Sequence, residues 1–374
     1  MIVNIDIQPA VAQRAGVGRY TRALAEHLSE WAGSDELLLS YFDFRHKTPP
    51  FFIPGARQRV IRWVPRRLAQ YAWKKFSWPP YDWLAGRADV YHFPNYIRPP
   101  LAHGKSVVTV FDLSLLRFPE TMESRNFRYL SAKLRDTIRR VDAVLTGSVF
   151  VANELCELMA VPREKVFPVL LGLTEHAKRP DAASVAAARR QLGLSRPYLL
   201  MVGTLEPRKN IPFLTEVFER LAEFDGDLVL AGMRGWKYKP IIECIRSSRC
   251  AERIRHLEYV NENDLPALYA GAELFVFPSL YEGFGFTPLE AMACGTPVVS
   301  SPAGSLREVL GDAAILVETS SADCWAETVR QVLDDSQLRS RLVSKGLEHA
   351  RRFSWRETAR KTWQVYRHVA GAKG

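Results

Sequence analysis

The stretch Pro278-Ser279-Leu280-Tyr281-Glu282-Gly283-Phe284-Gly285-Phe286-Thr287-Pro288-Leu289-Glu290-Ala291-Met292-Ala293 follows an apolar run at 274–276. A β-prone run that breaks at a small-residue loop and resumes as a helix is the repeating unit of a parallel α/β sheet. Gly283 and Gly285 leave the loop backbone bare enough for a ligand to approach closely. Thr287 as N-cap and Pro288 as first helical residue are expected to open the helix, whose unpaired amides attract anions. Glu282 stands in the loop and Glu290 in the first turn, so both carboxylates can face one ligand and accept hydrogen bonds from sugar or ribose hydroxyls. Two plainer readings stand beside this one. Thr287-x-x-Glu290 is also a capping box, and Glu282 can be a solvated loop carboxylate.

Working outward, the same unit recurs in both directions. Strands are expected at 198–202, 228–231, 254–257, 298–300 and 314–316 after a polar, alanine-rich stretch at 175–197 that interrupts the pattern, where the domain boundary is placed. Before it, strands are expected at 2–7, 37–41, 90–93, 106–111 and 143–145, with helices at 17–31, 123–140 and 149–160. The 374 residues exceed what one hydrophobic core holds, so the chain divides into two doubly wound, Rossmann-like α/β domains. The expected organisation is an N-terminal domain at 1–175, a C-terminal domain at 176–355, and a terminal helix at 356–374 that has no strand after it and can pack back on the first domain. Open sheets bind ligands beyond the carboxyl ends of their strands, so a central cleft between the two is the expected site.

The end of the first strand of the second series reads Met201-Val202-Gly203-Thr204-Leu205-Glu206-Pro207-Arg208-Lys209-Asn210. A planar guanidinium fork and a mobile ammonium at the mouth of a helix suit a diphosphate, although Arg-Lys pairs are commonly just solvated. In the first domain, Gly16-Val17-Gly18-Arg19-Tyr20 opens a helix about ten residues beyond the first strand. As a dinucleotide fingerprint it fails, because Thr21 stands where the last glycine belongs; a flexible turn is its plainer reading.

Together these segments resemble the retaining GT-B glycosyltransferases of family 4, which carry a Glu-x7-Glu signature matched here by Glu282 and Glu290, and the likeness extends through Gly295-Thr296-Pro297-Val298-Val299. The resemblance implies two Rossmann-like domains, a nucleotide-diphosphate sugar as donor, and retention at the anomeric carbon. It implies that Glu282 binds donor-sugar hydroxyls, that Glu290 binds the ribose, and that Arg208 and Lys209 hold the leaving diphosphate. Gly16, Gly18, Thr204, Val260 and the run Gly283, Phe284, Gly285, Phe286 and Thr287 are then donor-binding. The family often has arginine directly after the glycine that Thr204 follows here. Where relatives commonly read His-Asp, this chain has Phe111-Asp112, which leaves Asp112 as a catalytic and acceptor-side candidate. His92, in Tyr91-His92-Phe93-Pro94-Asn95, is the nearest substitute for the missing histidine on the acceptor side, and a satisfied structural histidine is its alternative. Asp225-Gly226-Asp227 reads as a turn before a strand rather than a metal motif. No metal and no other cofactor are expected.

The whole pattern is most like bacterial mannosyltransferases of lipid-linked polysaccharide assembly, which implies GDP-mannose as donor, with UDP-sugars the alternative, and a lipid-linked glycan as acceptor. The formal charge of +10 arises from 51 Lys and Arg against 41 Asp and Glu. Arg57, Arg59, Arg62, Arg66, Arg67, Lys74 and Lys75 fall in one stretch with no acid before Asp82, interleaved with Trp63, Trp73, Trp78 and Trp83. That mixture suits an anionic membrane surface, or else a solvated loop with aromatic packing; nucleic acid is not expected, since no recognised binding module accompanies the charge. Scattered cysteines and an N-terminus that opens straight into a β-prone run point to a cytoplasmic protein, peripheral on the inner face of the membrane. Two rivals are an NAD-dependent sugar-nucleotide epimerase, which requires a complete glycine fingerprint, and a noncatalytic membrane-binding relative.

Overall fold

The computed structural model describes residues 1–371 except 13–15, 50, 122–123, 175–176 and 319; the side chains of 124–126 are likewise left out. The chain forms two compact units. The first comprises Met1–Leu113, Arg128–Gly172 and the chain from Ser354 onward; the second comprises Ser114–Phe127 and Leu173–Phe353.

The first unit is built on seven parallel strands: β1 (Ile2–Asp6), β2 (Glu36–Phe42), β3 (Ala56–Ile61), β4 (Val90–Phe93), β5 (Lys105–Val110), β6 (Ala143–Thr146) and β7 (Val166–Pro168). Their order is β3-β2-β1-β4-β5-β6-β7, so the direction of winding reverses between β1 and β4. Each central strand is a short run of buried residues, as expected where helices cover both faces of a parallel sheet. The helix Val17–Ala32 turns Leu24, Ala25 and Leu28 inward. The terminal helix Trp355–Val369 packs on it, burying Ala359, Trp363 and Tyr366 within the first unit. β3 and β7 were not expected: β3 is an edge strand reading Ala-Arg-Gln-Arg-Val-Ile, whose polar middle hides it, and β7 is three residues long.

In the second unit, β8 (Tyr198–Val202), β9 (Asp227–Ala231), β10 (Ile254–Leu257), β11 (Leu274–Phe277), β12 (Val298–Ser300) and β13 (Ile315–Leu316) pair in the order β10-β9-β8-β11-β12-β13. Here the winding reverses between β8 and β11. The stretch 175–197, which interrupts the strand pattern in the sequence, is not irregular throughout. It contains the helix Ala182–Gln191, whose N-cap Asp181 accepts a hydrogen bond from the Ser184 amide at 2.7 Å, and it lies inside the second unit. Alanines without a broad apolar stripe concealed that helix. A second departure is Ser114–Phe127, which precedes the expected boundary yet belongs to the second unit, where the Phe118 ring lies 5.8 Å from that of Tyr281.

Candidate active site

A doubly wound sheet opens a crevice at the carboxyl ends of the two strands where its winding reverses. In the second unit these are the ends of β8 and β11, which lead into 203–210 and 278–290 respectively. After β8 the backbone passes Gly203, makes a single turn at Pro207–Lys209, and reverses through Asn210 in a left-handed conformation (φ 56°) into the helix Ile211–Glu219. Gly232, at the end of neighbouring β9, has no room for a Cβ, because one would collide with the Gly203 carbonyl. Lys209 runs alongside Gly203, its Cε 3.3 Å from where a Cβ would stand there, and its ammonium lies 5.0 Å from the centre of the Phe277 ring.

These constraints aim two cations at one carboxylate. Lys209 Nζ lies 2.6 Å from Glu282 Oε1 and Arg208 Nη1 lies 3.1 Å from Glu282 Oε2. The Ser279 hydroxyl donates to Glu282 Oε1 at 2.6 Å. Arg208 is itself oriented, donating through Nη1 to the Tyr281 carbonyl and through Nη2 to Glu206, both at 2.6 Å. The backbone of Glu282 is held as firmly, since its carbonyl accepts from the Ser305 amide at 2.9 Å and the Ser305 hydroxyl at 3.0 Å. Gly304 allows that approach: it sits at φ +66°, and a Cβ there would strike the Glu282 backbone. Glu282 and Lys209 are both buried. Burial pushes the Glu282 carboxyl up, but the Lys209 and Arg208 charges outweigh it and hold the group at about 2. It is therefore ionised throughout the working range of a neutral-pH protein.

The helix after the loop departs from its expected start. It spans Phe286–Ala293 with Gly285 as N-cap at φ 99°, so Thr287 and Pro288 lie inside the first turn and the capping-box reading of Thr287 with Glu290 falls away. Gly285 takes the cap because a side chain there would be strained and would press on Leu306 Cδ2. Glu290 is buried, and its Oε2 accepts a hydrogen bond from the Tyr269 hydroxyl at 3.0 Å. The Phe284 ring packs into the interior against Phe286 and Phe353, so any ligand contact at this position comes from backbone. Gly283 is buried and Phe286 and Thr287 half-buried beside it; Thr204 is exposed past β8, and Val260 is buried past β10. Ser279, Glu206, Gly304 and Ser305 went unread. A signal existed for the last two, since Ser301-Pro302-Ala303-Gly304-Ser305 follows β12, which pairs with β11.

The remaining candidates lie in the first unit. Gly16 caps the helix Val17–Ala32 at φ 56° with open space where a side chain would be, while Gly18 is buried in the first turn; residues 13–15 ahead of them are outside the described set. Asp112 is half-buried two residues beyond β5. His92 is corrected: it is fully buried on β4, with Nε2 at 2.8 Å from Thr109 Oγ1 and Nδ1 at 2.6 Å from the Tyr366 hydroxyl. Both ring nitrogens are taken, and burial lowers its pKa to about 3, so it is neutral and has no polar atom to offer an acceptor. Asp225-Gly226 forms a bend leading into β9, with Asp225 paired to Arg196.

Two family models cover this chain: residues 185–349 match glycosyl transferases group 1, and residues 15–172 match the glycosyl transferase 4-like domain. The O-antigen chain mannosyltransferase B of Escherichia coli is 33% identical over 282 residues, 74% of this chain and 74% of its own. The chain belongs to the group 1 glycosyltransferases. A D-inositol 3-phosphate glycosyltransferase of Corynebacterium efficiens is 33% identical over 305 residues, 78% of this chain and 70% of its own. Among solved structures, sucrose-phosphate synthase from Thermosynechococcus elongatus superposes with a TM-score of 0.77 at 21% identity, covering 100% of this chain and 99% of its own. That likeness fixes the architecture: this group 1 glycosyltransferase has the GT-B fold of two Rossmann-like α/β domains.

Proposed function

We propose that the chain is a retaining mannosyltransferase that moves mannose from GDP-mannose to a lipid-linked glycan. The observation that carries the reading is the cluster of Lys209, Arg208 and Glu282 at the switch point of the second sheet. In this reading Lys209 and Arg208 meet the diphosphate, whose negative charge grows as the bond to the anomeric carbon breaks; fixed cations in a buried site stabilise that charge without reorganisation. A carboxylate held at about 2 is poorly matched to moving protons at neutral pH. Glu282 therefore serves as a permanent acceptor for hexose hydroxyls, and Glu290, oriented by Tyr269, for the ribose. The new bond forms on the face from which the phosphate leaves, and the acceptor hydroxyl passes its proton to the departing phosphate oxygen. No protein base and no metal enter the step. Within the second unit, Thr204, Val260 and the backbone of 283–287 complete the donor contacts; within the first, Gly16 and Gly18 are the candidate donor-binding residues and Asp112 is the candidate for acceptor hydroxyls.

The donor and acceptor are read from the family likeness, to which the Escherichia coli O-antigen mannosyltransferase lends support. The exposed basic and aromatic residues of 63–83 in the first unit support a membrane-borne acceptor: Trp63, Leu68, Tyr71, Phe76, Trp78 and Trp83 are exposed, as are Lys74 and Lys75 in the same stretch. Among the described residues no helix is long and apolar enough to cross a membrane, so contact would be at the surface. A thermal-shift comparison tests the donor, because a ligand raises stability according to its affinity. GDP and GDP-mannose are expected to stabilise the protein more than UDP-sugars do; the reverse order overturns the guanosine assignment. Glu282→Ala is expected to lower transfer by about a hundredfold or more in a folded protein, and near-normal turnover removes Glu282 from the mechanism.

A further inference from the structure

Four buried side chains in the first unit form one continuous line of hydrogen bonds. The Tyr366 hydroxyl, on the terminal helix, is 2.6 Å from His92 Nδ1; His92 Nε2 is 2.8 Å from Thr109 Oγ1; and Thr109 Oγ1 is 3.1 Å from the Tyr20 hydroxyl. A neutral imidazole donates through one nitrogen and accepts through the other, so the ring passes hydrogen-bond polarity between the hydroxyls on either side of it. Tyr20 lies in the first turn after Gly16, and its amide bonds to the Gly16 carbonyl at 3.1 Å. Its ring meets Phe111 edge-on with centroids 4.8 Å apart, and Phe111 adjoins Asp112. Trp355, the first residue of the terminal helix, closes the other side of Tyr20 at 5.8 Å. One buried line thus fixes the opening of the helix at Gly16 and the end of β5 at Asp112 relative to the last helix of the chain.

We propose that Tyr366 is a positioning residue for transfer, acting through His92 and Thr109 on Tyr20 to set the backbone at Gly16. The proposal rests on the reading above that Gly16 belongs to the donor site. Tyr366 and His92 touch no substrate in this arrangement. They matter because reacting groups misplaced by a fraction of an ångström lose rate steeply, while a buried, fully satisfied polar network holds one geometry.

The test is a double-mutant cycle in transfer kinetics between Tyr366→Phe, which removes one hydroxyl and keeps the ring, and Gly16→Ala, with active-site concentration measured independently. Tyr366→Phe alone is expected to lower kcat about five- to tenfold with acceptor KM within about twofold, and to lower it less than about twofold in the Gly16→Ala background. Equal losses in both backgrounds overturn the relay, because a merely structural tyrosine acts additively; so does a Tyr366→Phe enzyme of normal kcat. Normal kcat and donor KM in Gly16→Ala overturn the donor-site reading of the loop, and the relay falls with it for that separate reason. Thr109→Val, which breaks the line at its centre, is expected to repeat the Tyr366→Phe phenotype, and Thr109→Ser, which keeps the hydroxyl, to restore it. A Thr109→Ser enzyme as impaired as Thr109→Val overturns the relay.

Discussion

Glu282 gathers the charges of Lys209 and Arg208 onto one carboxylate, and its ionisation has a consequence for stability. Its pKa is about 2 in the folded protein against 4.5 for an ordinary glutamate. A depressed carboxyl stabilises the fold fully above the unfolded value, and the contribution fades as pH falls toward the folded one. The ionised form of Glu282 in its folded surroundings, net of the burial that opposes it, thus contributes on the order of 3 kcal/mol near neutrality. Glu282→Gln removes that dependence and takes the carboxylate from the buried Lys209 ammonium, which is destabilising in its own right, while Arg208 keeps its pairing with Glu206. Urea unfolding of both proteins should show a gap that is constant above about pH 5 and narrows steadily below about pH 4.5. A gap of the same size at all pH values sinks the assignment of the depressed pKa to this carboxylate. The pairing itself is not legible in the sequence: the family motifs imply Glu282 for the sugar and the cations for the diphosphate, but not the contacts of 2.6 and 3.1 Å that join them. Such contacts come from the parallel placement of β8 beside β11, which no local pattern encodes.

At the scale of elements, what could be read depended on burial. β4 and β11 lie inside sheets as uniformly buried runs and stood out, whereas β3 reads as a polar segment because it is an edge. The helix Trp355–Val369 was legible from its spacing, yet its interior holds an irregularity that spacing does not disclose. Among the described residues, Thr362 Oγ1 and the indole nitrogens of Trp355 and Trp363 are buried on it without hydrogen-bond partners, as is Trp31 Nε1 on the helix Val17–Ala32. One turn away, Thr358 Oγ1 donates to the Leu170 carbonyl at 2.8 Å. Threonine and valine share β-branching and nearly the same shape, so exchanging them isolates the hydroxyl. An unpartnered buried hydroxyl is a desolvation penalty, while a bonded one contributes roughly 1 kcal/mol. Thr362→Val is expected to raise unfolding free energy by about 1 kcal/mol and Thr358→Val to lower it by a similar amount. Equal destabilisation by both, in urea titrations, means that Thr362 is satisfied after all.

For the molecule as a whole, chain length and recurring strand-loop-helix units announced two α/β units, but not the route of the backbone through them. The return of the terminal helix to the first unit was expected because no strand follows it, whereas Ser114–Phe127 joins the second unit unannounced, since contacts made by a few rings such as Phe118 carry no periodic signal. The distribution of charge was more legible. An excess of +10 could be spread evenly, yet seven cations and no acid fall between Arg57 and Asp82, and in the first unit that stretch exposes Trp63, Trp78 and Trp83. Lys75 stands 6.0 Å from the centre of the Tyr71 ring and 5.6 Å from that of Phe76, so charge and apolar surface are interleaved rather than opposed. Tryptophan settles at headgroup depth, and each cation near an anionic leaflet contributes about 1 kcal/mol that salt screens away. The protein is therefore expected to co-sediment with phosphatidylserine-containing vesicles at low salt, and to leave them at about 0.5 M salt or when the vesicles are neutral. Lys74→Gln with Lys75→Gln should weaken binding by roughly tenfold or more, and serine at positions 63, 78 and 83 should weaken it even at low salt. If the protein stays in the supernatant with anionic vesicles at low salt, this face serves another purpose and the acceptor is a soluble glycan.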